Sequence, residues 1–79
     1  MEIRTPAQIG RIGILDYLNT VYGDKLGHIA RRFGVNSKSL WDYLSRMERD
    51  GLVQRYERGV YYVGPKGTLL LGKWRKWRK

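Results

Sequence analysis

The sequence predicts an α+β domain, mostly α: three helices, a short antiparallel β-hairpin, then a basic C-terminal tail or helix. Three observations predict it. Apolar residues recur at steps of three and four through three successive segments, the spacing of helices that bury one face. Gly23, Gly34 and Gly51 close those segments, where helices commonly stop. After Gly51 come two β-rich runs, Leu52 to Tyr56 and Val60 to Val63, around Glu57-Arg58-Gly59, a hairpin with Gly59 in its turn.

Each element has local signals. Thr5-Pro6 opens the first helix: the hydroxyl caps it, and Pro at the first helical position gives up an amide that has no partner there. Ile9, Ile12, Leu15, Leu18 and Val21 form its stripe, with Ile14 and Tyr22 beside it, while Gly10 and Gly13 weaken it. Asp24 is positioned to cap a second helix from about Lys25 to Phe33, with Leu26, Ile29, Ala30 and Phe33 on one face. Gly34 permits the positive φ that ends a helix sharply, and Val35 plugs the space before the next helix. Asn36 or Ser37 caps a third helix from about Lys38 to Asp50, burying Leu40, Tyr43, Leu44 and Met47. In the tail, Leu70, Trp74 and Trp77 share a helical stripe, interrupted by Gly67 and Gly72.

Size and charge narrow the function. Seventy-nine residues make one domain, and a core this small is marginal enough that a partner subunit is expected. Residues 1–57 hold nine Lys and Arg against all seven acids, whereas residues 58–79 hold seven Lys and Arg and no acid, within a total of +9. Such a segment stays extended or meets a polyanion, nucleic acid first and an anionic membrane surface second; the plainer alternative is a soluble basic surface. There is no cysteine, so neither disulfides nor thiolate metal sites are expected. No apolar run approaches the ~20 residues of a membrane span, and MEIRTPAQIG lacks the basic and apolar regions of a secretory signal. The expected location is cytoplasmic, associated with the nucleoid.

Catalysis is not expected. His28 is the single histidine and the acids are scattered, with no pair forced together by spacing, so the inventory for acid–base or nucleophilic work is nearly absent. Gly64-Pro65-Lys66-Gly67-Thr68 has the wrong order for a phosphate loop, which needs Gly-Lys followed directly by Ser or Thr. No cofactor or metal is expected.

Three segments, in order, resemble a known family: Leu26, Ile29-Ala30, Phe33-Gly34-Val35 and Leu40; then Met47-Glu48-Arg49-Asp50-Gly51-Leu52-Val53, close to "L-E-x-x-G-L-V"; then Tyr61-Tyr62-Val63-Gly64-Pro65-Lys66-Gly67, close to "Y-x-L-T-x-x-G". On these, residues 24–67 resemble the small bacterial and archaeal winged helix-turn-helix regulators of the MarR, ArsR and PadR type. Gly64 stands where the family has Thr, and Trp41 and Asp42 occupy positions often filled by Ser and Arg. The resemblance implies a winged helix-turn-helix domain over residues 1–67, with residues 68–79 a basic, Trp-containing helix or arm. It implies that the third helix enters the major groove of double-stranded DNA.

The outward side of that helix offers Lys38, Ser39, Trp41, Asp42 and Ser45 to base edges and Arg46 to phosphate. Asp42 can accept from a cytosine amino group, and the alternative for Trp41 is packing against the wing. Arg31 and Arg32 on the second helix and Arg58 at the hairpin tip are placed for backbone phosphates or the minor groove. The plainer alternative for each polar residue is a solvated surface. In the tail, Lys73, Arg75 and Lys76 alternate with tryptophans. It is expected to pair with a twin through Leu70, Trp74 and Trp77, to track DNA as a basic arm, or to lie on an anionic membrane.

The function expected is sequence-specific DNA binding by a homodimeric transcriptional regulator, with no small-molecule effector. The alternatives are an architectural protein with little sequence preference and, in another class, a protein-interaction module.

Overall fold

The computed structural model describes residues 4–77, with the side chain of Trp77 outside the described set. In chain order these residues form α1 (Pro6–Val21), β1 (Asp24–Lys25), α2 (Leu26–Phe33), α3 (Ser37–Arg49), β2 (Val53–Tyr56), β3 (Val60–Val63) and α4 (Pro65–Trp77); a 3-10 turn at Glu57–Gly59 joins β2 to β3. The strands make an antiparallel sheet in the order β1-β3-β2. The chain is α+β and mostly helical, an arrangement compatible with a winged-helix-like fold. Its core gathers Ile14, Leu15 and Leu18 of α1, Ile29 and Ala30 of α2, Leu40, Leu44 and Met47 of α3, Leu52, Val53 and Tyr61 of the hairpin, and Leu71 of α4.

Helix α1 begins as expected. The Gln8 amide donates to the Thr5 hydroxyl at 3.3 Å, and the Thr5 amide donates to Gln8 Oε1 at 2.8 Å, so two otherwise unpaired donors are satisfied reciprocally. The helix is not continuous. Gly10 sits at φ 81°, ψ 163°, a region essentially closed to residues with a Cβ. That break sets a new phase: Ile14, Leu15 and Leu18 are buried, Ile9 and Ile12 only partly, and Val21 and Tyr22 lie outside the core. The expected stripe running on to Val21 is therefore corrected at its C-terminal end.

A second correction concerns Asp24. It is not the cap of α2; Lys25 holds that position. Asp24 lies in β1, opposite Tyr61, with Lys25 opposite Val60. A strand of two residues carries no periodic signal, whereas Asp before an apolar run is an ordinary helix-start signal. The next turn follows the sequence closely. Gly34 closes α2 at φ 67°, and the Val35 amide donates to the Ala30 carbonyl at 3.0 Å, which turns the chain sharply and satisfies the last carbonyls of the helix. Val35 is buried, and Asn36 Oδ1 accepts from the amides of Lys38 (2.9 Å) and Ser39 (3.1 Å), fixing the start of α3.

The hairpin pairs Val53 with Val63, Gln54 with Tyr62, Arg55 with Tyr61 and Tyr56 with Val60. Because strand side chains alternate, Val53, Tyr61 and Val63 face the helices while Gln54, Tyr56, Val60 and Tyr62 form the outer face. Helix α4 then starts against the Gly51–Leu52 turn that follows α3 and packs along α1. The Gly64 amide donates to the Leu52 carbonyl at 2.8 Å and the Lys66 amide to the Gly51 carbonyl at 3.2 Å. A Cβ on Gly67 would collide with the Leu52 carbonyl oxygen, so α4 can lie this close only because residue 67 has no side chain. The tail is thus helical to Trp77, and the division expected after residue 67 falls inside α4. Its core residue is Leu71, outside the expected Leu70, Trp74 and Trp77 stripe. Among the described residues no helix is long and apolar enough to cross a membrane.

Candidate nucleic-acid interface

The Gly34 turn and the Asn36 cap fix the start of α3, while Leu40, Leu44 and Met47 hold its inner face in the core. Tyr43 packs partly against the same core, and the polar positions point outward. Lys38, Ser39, Trp41, Asp42 and Arg46 are exposed and Ser45 is half-buried, so the six candidates on this helix share one solvent-facing side. Trp41 is 46% exposed, a large area of indole to leave in water among polar neighbours. The first turn of α3 contains no acid, and its Lys38 and Ser39 amides are taken up by the Asn36 cap.

Arg31 and Arg32 end α2, where cations are favoured by the helix dipole, and both are exposed. Arg32 has a platform that the sequence does not reveal. Its guanidinium carbon lies 5.9 Å from the centre of the Tyr17 ring and 5.8 Å from that of Phe33. Those two rings meet edge to face at 5.4 Å. Cation–π attraction restrains the long side chain, so Arg32 loses less freedom when it meets a phosphate. Arg58 stands at the hairpin tip, exposed, at φ 68°.

The tail cations divide. Lys73 and Lys76 are exposed, whereas Arg75 reaches Asp16 of α1 at 3.3 Å. Both partners of that pair are about half exposed (52% and 47%), so it contributes little energy, yet it orients Arg75 toward its own domain. Leu70 and Trp74 are half-buried, so part of the stripe expected to meet a twin packs on its own chain. Trp77, the third residue of that stripe, has a side chain outside the described residues.

Beside α2 lies a polar network absent from the sequence expectations. The Tyr17 hydroxyl donates to Asp24 Oδ2 at 2.5 Å, the Lys25 amide donates to Oδ1 at 2.8 Å, and His28 Nδ1 lies 3.0 Å from Oδ1. Burial works against the carboxylate's charge, but the hydrogen bonds from Tyr17, Lys25 and His28 together outweigh it and hold Asp24 below its ordinary pKa. The same bond raises the Tyr17 phenol, with burial and the Asp24 charge adding to the effect and Arg32 opposing it. Asp24 thereby ties α1 to β1 and α2 and steadies the ring on which Arg32 rests. Among the described residues no three His, Cys, Asp or Glu side chains gather as a metal site.

The fold and this surface define a small α+β domain whose third helix presents a mixed polar and aromatic side flanked by arginines. No family model matches the chain, and no curated protein matches it. Among solved structures it is similar to the hypothetical protein SSo2273 of Sulfolobus solfataricus, with a TM-score of 0.66 and 22% sequence identity over 89% of this chain. The match covers 54% of that protein, so the chain spans about half its length. At this identity the likeness concerns the fold alone.

Proposed function

We propose that this chain is a winged helix-turn-helix protein that binds double-stranded DNA and regulates transcription as a homodimer. The observation that carries the reading is the outward side of α3, where Lys38, Ser39, Trp41, Asp42, Ser45 and Arg46 stand together beyond a firmly capped turn. In this role α3 lies in the major groove, Trp41 and Asp42 meet base edges, and Lys38 and Arg46 approach the strands. Arg31, Arg32 and Arg58 take phosphates on either side, and Lys73 and Lys76 extend the basic surface. Two copies would read half-sites about 34 Å apart. Such a protein works in the cytoplasm at the nucleoid.

A second reading draws on the net charge of +9: an architectural protein that coats DNA with little sequence preference. One experiment separates the two. Random-sequence selection at about 150 mM salt against bulk competitor is expected to enrich a palindrome. Tight binding without enrichment would give the architectural role. In both cases log affinity falls against log salt with a slope near −0.9 per phosphate contact. A flat response, or no binding, would sink both and leave a protein-interaction module.

A further inference from the structure

We propose that the outer face of the sheet, together with the cleft between it and the end of α1, is the surface on which a second copy of this chain docks. Three of the six tyrosines lie here: Tyr56 and Tyr62 on the sheet, meeting edge to face at 5.2 Å, and Tyr22 at the end of α1. Tyr22 and Tyr62 line one open cleft of about 350 Å³ with Leu18, Asn19 and Thr68. Tyr22 is 85% exposed, Tyr56 56% and Tyr62 39%. Val21 and Leu69, the chain neighbours of Tyr22 and Thr68, are exposed at 40% and 66%.

Charge selects the occupant. The chain carries 16 cations against seven acids, so two copies repel over most of their surfaces. The outward residues of the hairpin, Gln54, Tyr56, Val60 and Tyr62, carry no charge; only Lys25 stands on this side of the sheet, on β1. Two copies approach here at least cost. A strand of nucleic acid would need a run of cations beside the rings, whereas Lys25 stands alone on β1 and Arg55 shares its cleft at Gln54 and Tyr56 with the acidic Glu48. Tyrosine is also the residue that interfaces concentrate. The exposed side chains named above amount to roughly 500 Å² on one copy, at the upper end for a monomer's surface. Doubled, that is about the smallest area a specific pair uses.

Tyr22 is also the residue that caps the C-terminal end of α1. It sits at φ 59°, a conformation that residues with a Cβ rarely adopt. There its amide donates to the Leu18 carbonyl and closes the helix, which leaves the ring 85% exposed and free to be buried against a partner.

The location does not depend on DNA binding, and neither does the test. Sedimentation equilibrium on the whole chain from roughly 1 to 500 µM covers the affinities of small interfaces. A monomer–dimer equilibrium is expected that tightens about threefold or more as salt screens the repulsion. Tyr22→Gly and Tyr56→Ser should each weaken it at least about tenfold, while melting by circular dichroism in dilute solution shows both variants folded. A wild-type chain that stays monomeric, variants that pair like wild type, or pairing that loosens with salt would each overturn the proposal. So would saturable binding of a single-stranded thymidine oligomer by monomers that both substitutions abolish.

Discussion

At Tyr22 and Arg58 the described chain holds non-glycine residues at positive φ, 59° and 68°, and each stands on a proposed contact surface. Glycine meets no such penalty, although it gives up more freedom on folding. Arg58→Gly is therefore expected to stabilise the fold by about 0.5 kcal/mol while weakening DNA binding and lowering the salt slope by about 0.9. Urea unfolding and titration of DNA at several salt concentrations measure the two opposite effects. Asp24 gives the pH prediction. Its folded pKa is depressed, so its contribution is present above the unfolded value of ~3.9 and is lost as pH falls through the lower folded value. Asp24→Asn should lower Tm near neutral pH by removing one carboxylate's worth of hydrogen bonds, about 1.5–3 kcal/mol. The gap to wild type should shrink as pH drops below about 4. A gap that is constant from neutral to acid pH would contradict the assigned role of the carboxylate.

Among the elements, those with local causes were legible. Thr5 with Gln8, Gly34 with Val35 and Asn36, and the paired runs around Glu57 to Gly59 all act within a few residues, and each stands where its sequence pattern indicates. The outward side of α3 was legible for the same reason, since burying Leu40, Leu44 and Met47 determines which residues remain outside. What was not legible depends on tertiary contact. Asp24 looked like a cap because its partners, Tyr17 and Tyr61, belong to other elements. The platform under Arg32 needs α1 and α2 side by side. Leu71 rather than Leu70 is the anchor of α4 because the close approach at Gly67 sets the helix's rotation. That approach can be tested. Helix propensity alone predicts that Gly67→Ala stabilises by ~1 kcal/mol, but the collision with the Leu52 carbonyl opposes it. Overpacking against backbone costs on the order of 3 kcal/mol and wins. A thermal melt is expected to show net destabilisation, and an unchanged or raised Tm would mean that α4 does not rest on the Leu52 carbonyl.

For the molecule as a whole, the two proposed associations should answer salt in opposite directions: DNA binding weakens as ions replace phosphate contacts, and pairing of copies tightens as like charges are screened. On the proposed function, dimers form as DNA is lost, so occupancy should pass through a maximum with ionic strength. The contact between α1 and α4 has a further consequence, in the time domain. Asp16 and Arg75 are 59 residues apart, and Leu71 reaches a core built largely by α1, α2 and α3. Closing so long a loop is entropically costly before its contacts form, whereas α2 and α3 meet across a short turn. The chain should therefore assemble from the α2–α3 pair outward, with α4 docking after the rate-limiting step. Leu44→Ala and Leu71→Ala each remove a buried leucine at about 2–5 kcal/mol. Stopped-flow kinetics should divide those losses differently: Leu44→Ala slows folding, and Leu71→Ala chiefly speeds unfolding. The helix that covers the core last would then be the first to leave it, and the lifetime of the native state is set by how long α4 stays docked.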